Sequence, residues 1–255
     1  MLLLFVILGL ILISVALATF FIVNDRGERE PIGALWIAFG LGSAGGLVAA
    51  IIENMTIPTK SYSSTAPLLT ILIASLAIGV IEEACKFIPL SIFIYPKRYF
   101  NEHTDGIVYF ALAGLGFGLP ENILYAVQFG AATGLKRLLL TPFFHAAITG
   151  MVGFMLIRSK LDHRPRAWVA LTLLLAMVLH GLYDFGLASG QNVYSIMSIS
   201  ITLGMSLVLF WLYITATDLD QKAGLSSVGH NDYCRHCGQA NPEHHLYCIE
   251  CGQRA

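Results

Sequence analysis

The strongest constraint on this 255-residue chain is that it breaks into seven long apolar stretches: Met1–Val23, Ile32–Ile52, Pro67–Tyr95, Ile107–Gly130, Leu138–Ile157, Trp168–Leu187 and Val193–Ala216. A helix that crosses a bilayer needs roughly 20 mostly apolar residues, because it rises ~1.5 Å per residue against a ~30 Å hydrocarbon layer. Each stretch meets that length, and none shows the period-two alternation of a membrane barrel strand. The expected fold is all-α: a polytopic membrane bundle of about seven helices. Composition agrees, with 56% hydrophobic and 12% charged residues. Soluble domains carry about a quarter charged residues, so an ordinary water-soluble enzyme or a disordered regulator is excluded. A net charge of −1 leaves no basic footprint for nucleic acid.

The first stretch lacks a positive leader and is longer than the apolar part of a secretory signal. It is read as a retained helix, although Ala16-Leu17-Ala18 resembles a cleavage site. Loop charges set the orientation. The first, third and fifth loops hold Arg26, Arg29, Lys97, Arg98, Arg158, Lys160, Arg164 and Arg166. The other three hold only Lys60, Lys136 and Arg137. The basic side is assigned to the cytoplasm, which puts the N-terminus outside and the tail inside.

Three segments follow from this layout: a bundle over 1–217, a polar linker over 218–230 and a small module over 231–255. That module carries Cys234-x2-Cys237 and Cys248-x2-Cys251, each pair followed by glycine. Two such pairs supply the four thiolates that a closed structural zinc site takes. Disulfides are the competing reading, and a reducing cytoplasm argues against them. The pattern resembles the short zinc ribbons of many microbial membrane proteins. A closed site offers no open position for catalysis, so the ribbon is expected to dock a cytoplasmic partner or to add stability.

Ionisable groups inside the spans carry the chemistry. A charge at mid-span costs ~2.5–3.5 kcal/mol even on lenient scales. This chain has Glu82, Glu83 and Lys86 in the third span, Glu121 in the fourth, His145 in the fifth, and His180 with Asp184 in the sixth. Counted along the spans, Glu82, Glu121, His145 and His180 all lie roughly 18–21 Å from the cytoplasmic end. Lys86 stands i,i+4 and i,i+3 to the two glutamates as their counter-ion, and Asp184 stands i,i+4 to His180 and can orient its ring. Phe117 shares a face with Glu121 and is expected to limit water there. Gly114, Gly116, Gly118, Gly150 and Gly153 let helices approach closely and leave room for a substrate. Pro89 and Pro120 are expected to open their helices beside the site.

These residues form ordered motifs: Glu82-Glu83-x-x-Lys86, Phe117-x-x-x-Glu121 and His180-x-x-x-Asp184. Together, on successive helices between about 67 and 187, they resemble the PrsW family of intramembrane proteases, itself distantly similar to CAAX prenyl proteases and bacteriocin-processing proteases. Lysine and Glu121 stand where the CAAX branch has arginine and histidine, so the PrsW branch fits better. The resemblance implies hydrolysis of a membrane-protein substrate but no particular target. In that reading Glu82 or Glu83 activates water and Lys86 restrains the pair. Glu121 and His145 position the water or bind a metal, and His180 with Asp184 polarises the scissile carbonyl or completes the metal shell. A catalytic zinc would then be held by Glu121, His145 and His180; a metal-free glutamic mechanism uses the same groups through protons alone. Two other classes also use such residues: a proton-coupled transporter, and a membrane scaffold whose ribbon recruits a partner.

Overall fold

Long apolar segments without water must satisfy every backbone polar group internally, which makes helix the available conformation. The computed structural model describes residues 1–23, 30–223, 237–239 and 251. It contains seven helices long and apolar enough to cross a membrane: α1 Leu2–Val23, α2 Ile32–Thr56, α3 Leu68–Phe93, α4 His103–Phe129, α5 Ala131–Leu161, α6 Arg166–Ala188 and α7 Asn192–Ala223. A short 3-10 helix, Thr59–Tyr62, joins α2 to α3. The protein is a multi-pass membrane protein.

Helix α4 is the axis of the bundle. From His103 to Gly118 every residue is buried, and it packs against α5, α2, α1 and α7, while α3 lies chiefly against α6. The outer helices α1 and α7 show apolar side chains such as Leu4, Phe5, Leu12, Leu207 and Trp211 on their outward faces, the surface a lipid environment requires.

The crossing of α3 and α6 depends on absent side chains. A Cβ on Gly79 would lie 2.7 Å from the backbone nitrogen of Gly181, and one on Gly181 would lie 2.6 Å from the Cα of Leu76. Those backbones meet one turn from Glu82 on α3 and one residue from His180 on α6, so the contact fixes the two polar segments at the same level.

Two expectations change. Helix α7 runs on to Ala223, through the first residues assigned to the linker. The reason is Asp220, which is buried at the start of α4. Its carboxylate accepts the backbone N–H groups of His103 (2.7 Å) and Thr104 (3.0 Å) and lies 2.7 Å from His103 Nδ1. It thereby satisfies donors that a helix start leaves open. His103 Nε2 stands 2.9 Å from Asp162 at the end of α5, which also accepts from Arg158. Burial alone would raise the Asp162 carboxyl, but those hydrogen bonds outweigh it and hold it below the ordinary aspartate range.

The prolines do not open their helices, since α3 and α4 run through Pro89 and Pro120 without a break. Pro120 removes the donor for the Gly116 carbonyl, and the Ser43 hydroxyl of α2 donates to that carbonyl instead at 2.9 Å. Cys234 and Cys248 lie outside the described residues; Cys237 and Cys251 are described and exposed.

Candidate active site

Helical spacing brings the acids of α3 inward: Ile78, Gly79, Glu82, Glu83, Lys86 and Leu90 form its buried stripe. Lys86 is 1% exposed. Its ammonium donates to Glu83 Oε1 at 2.7 Å and to Glu82 Oε2 at 3.5 Å. It also lies 3.0 Å from His145 Nδ1 and 4.1 Å from the centre of the Phe117 ring. One cation therefore ties α3 to α5 and α4 and neutralises charge that burial would otherwise make untenable.

His180 enters from α6. Its Nδ1 is 2.7 Å from Glu83 Oε1, and its Nε2 is 3.3 Å from Glu82 Oε2. Asp184 stands farther off, 3.6 Å from Nε2. Glu83 rather than Asp184 is thus the group that orients the imidazole. Sequence spacing sees only the partner on the same helix, and the nearer partner comes from the neighbouring one. Phe144 meets the His180 ring edge-on at 5.1 Å and stacks on Tyr183 at 4.0 Å, so aromatic walls hold the ring laterally.

His145 is the bridge. Its Nε2 lies 2.8 Å from Glu121 Oε2 on α4, and its ring is 5.3 Å from that of His180. Glu121 is paired in turn with the Arg137 guanidinium, which also donates to Asn122 Oδ1 at 2.7 Å and covers the Tyr125 ring at 3.9 Å. A continuous polar chain results: Arg137, Glu121, His145, Lys86, Glu83, His180. It links α5, α4, α3 and α6 at one depth. All seven sequence-nominated groups converge here, with Phe117 packed over Lys86 and His145.

The donor set suits a metal. Glu82, His145 and His180 each offer a ligand atom, all buried and within 4.8 Å of one another. Two imidazoles and a carboxylate are the set that catalytic zinc uses, with Glu83 on the far nitrogen of His180 as the orienting carboxylate. The carboxylate at metal spacing is Glu82, where the sequence pointed to Glu121. Glu121 instead pairs with both Arg137 and His145.

Two residues escaped the sequence reading. Arg137 was counted as a loop charge, yet it is 6% exposed. Its signal was a four-residue polar repeat on α5, Arg137, Thr141, His145, and Thr141 does meet the Tyr183 hydroxyl at 3.0 Å. Glu53 fell just past the second span's assigned end. It is half-buried on the face that carries Gly42, Gly46 and Ala49 of α2, and it stands close enough to Glu121, Asp184, Lys86 and Arg137 to interact with them electrostatically.

The family model described as PrsW family intramembrane metalloprotease matches residues 30–216. The chain belongs to the PrsW family. The match starts beside α2 and ends within α7, so it contains the whole polar chain, while α1 and the cysteine-bearing tail lie outside it. The chain is 33% identical over 181 residues to a protease PrsW of Bacillus subtilis (strain 168), covering 70% of this chain and 81% of that relative. It is 28% identical over 207 residues to a protease PrsW of Halalkalibacterium halodurans, covering 81% and 92%. With a protease PrsW of Geobacillus kaustophilus it shares 31% identity over 180 residues, covering 70% and 78%. No solved structure matches the chain significantly. This PrsW-family protein is a membrane peptidase that performs intramembrane proteolysis, and the transporter reading is not favoured.

Steric fit around His145 gives a direct test of the PrsW site. A Cβ on Gly118 would lie 2.6 Å from His145 Cδ2, so Gly118→Ala must push the ring away from Lys86 or Glu121. The variant is expected to insert normally and to lose about 10²-fold in cleavage rate, the usual effect of a misplacement near 1 Å. Cleavage assayed in membranes at matched protein level checks this, and parental rates would show that the ring position is not critical.

Proposed function

We propose that the chain cleaves a membrane-protein substrate at the level of this site, with Glu82 as the group that activates water. The observation that carries the assignment is the contrast between the two glutamates. Glu83 Oε1 is committed at 2.7 Å to both Lys86 and His180, whereas Glu82 makes only the longer 3.5 and 3.3 Å contacts. Glu82 is therefore the carboxylate left able to take a proton from water and return it to the leaving amine. Lys86 restrains both acids. Glu83 fixes the His180 ring, and His180 presents Nε2 toward Glu82 and the scissile carbonyl. Glu121, pinned by Arg137, holds His145 through Nε2.

Were zinc bound, Glu82, His145 and His180 would hold it with Glu82 as a ligand, so the free-base role given to Glu82 applies to the site without the ion. Once bound, the ion would supply Lewis acidity toward water and the scissile carbonyl. In the tail, Cys234, Cys237, Cys248 and Cys251 would hold a second, structural zinc that closes a ribbon for a cytoplasmic partner. The loop charges support a cytoplasmic tail and an outer N-terminus.

Both metals are separated by one experiment. In a variant with the four tail cysteines changed to serine, exhaustive chelation of membranes is expected to stop cleavage, and added zinc to restore it. Cleavage is followed as new N-termini by mass spectrometry. Full activity after chelation would assign the site to proton chemistry alone.

A further inference from the structure

Burial of acid demands compensating positive charge, and this site is short of it. Among the described residues, Glu53, Glu82, Glu83, Glu121 and Asp184 face two permanent cations, Lys86 and Arg137, with His145 and His180 between them. Lys86 is consumed by Glu82, Glu83 and His145, and Arg137 by Glu121 and Asn122. Two buried carboxylate oxygens remain with no hydrogen-bond partner: Glu53 Oε1 and Asp184 Oδ2. Asp184 is only 4% exposed. Neither residue belongs to the metal-spaced triad, so an ion there would not satisfy them.

Their position indicates what would. Glu53 ends the buried face of α2 next to exposed Asn54 and Met55, and Asp184 lies one turn beyond His180 on α6. Tyr62, from the 3-10 helix between α2 and α3, donates its hydroxyl to the Asp184 carbonyl at 3.4 Å and roofs the same end. The acceptors thus lie beside the reacting groups, toward the C-terminal ends of α2 and α6.

We propose that Glu53 and Asp184 form a subsite for a basic side chain, lysine or arginine, adjacent to the scissile bond of the substrate. The subsite rests on the peptidase reading given above. A cation entering it gains two acceptors that no protein hydrogen bond satisfies, Asp184 Oδ2 having only the long 3.6 Å contact with His180 Nε2, whereas an apolar or acidic side chain leaves them buried and unmatched. The discrimination therefore comes from the penalty on the wrong residue as much as from the attraction of the right one. Glu53 acts as a specificity residue and touches no reacting atom.

The test maps new N-termini in membranes of cells that carry the parent chain, Glu53→Gln, Glu53→Lys or Glu82→Gln. Products present with the parent and absent with Glu82→Gln define the cleavage sites, and these are expected to carry lysine or arginine next to the cut. Changing that residue to methionine in an identified substrate should lower parental kcat/KM by about 30-fold, the scale for truncating one partner of a buried charge pair. The loss should fall mainly in KM, as removal of uniform binding does. Glu53→Gln should show the same loss on the unaltered substrate and little more on the methionine version. Glu53→Lys should favour a substrate with glutamate at that place. Cleavage sites without basic residues, or a methionine substrate cut at the parental rate, would overturn the subsite while leaving the peptidase intact. That substrate comparison uses the parent chain only, so it decides the matter even if a Glu53 variant fails to insert. Identical products from the parent and Glu82→Gln would instead overturn the peptidase role of Glu82, and the subsite with it.

Discussion

Glu82→Gln is expected to lower cleavage by about 10²–10⁴-fold, the range for removing a positioned general base, while the amount of inserted protein stays the same or rises. The amide keeps the volume and the contact with Lys86 but cannot take a proton. Removing one carboxylate also relieves a site in which acids outnumber permanent cations, so no loss of fold is expected. Glu83→Gln behaves differently, because Glu83 is bound at 2.7 Å to both Lys86 and His180. It should lose activity together with thermal stability. Membrane proteomics of cells expressing each variant, with expression measured by detergent gel filtration, separates the outcomes. Substantial cleavage by Glu82→Gln, with loss confined to Glu83→Gln, would transfer the water-activating role to Glu83.

Lys86→Met is expected to be the most destabilising single change in the bundle. The ammonium touches Glu82, Glu83, His145 and the Phe117 ring, and methionine keeps only the packing. Breaking a buried ion pair by removing one partner costs about 3–5 kcal/mol, because the remaining charge is left uncompensated. At about 2–4 °C per kcal/mol for a chain of this size, the unfolding midpoint should fall by about 10 °C. A second change, Glu83→Gln on the Lys86→Met background, should recover about 1 kcal/mol or more, since directly coupled neighbours are not additive. Thermal unfolding of the purified variants in detergent reads both values. A simple sum of the two single effects would mean that Lys86 and Glu83 do not depend on each other.

How much of this could be read beforehand follows from where the physics is local. The spans were legible because the bilayer fixes their length and apolarity, and five of the seven start and end within about four residues of the helices. The seventh helix runs on past Ala216 to Ala223, and the fifth begins at Ala131, well before Leu138, and so takes Arg137 into the bundle. The same boundary effect hid Glu53, a single residue past Ile52. Rules that place charges in loops work against buried polar residues at span ends. Depth along the helices was legible too, and Glu82, Glu121, His145 and His180 do meet. Rotation was not. Whether His180 leans on Glu83 or Asp184 depends on how α3 and α6 face each other, and that is set by the Gly79–Gly181 crossing. The prolines were misread for a similar reason, since the Ser43 hydroxyl that satisfies the Gly116 carbonyl comes from a helix remote in sequence. The reading of the cysteine pairs as zinc ligands stands on spacing alone, with Cys234 and Cys248 outside the described residues.

The chain of contacts from Arg137 to His180 alternates between helices at almost every link. A member of the quartet α3, α4, α5 and α6 that is exchanged for a counterpart lacking its charged partner would therefore strand a charge on the helices left behind. Chimaeras that replace all four together should assemble, whereas those that graft one alone should fail at insertion, so recombination among such proteins is expected to move this quartet as a block.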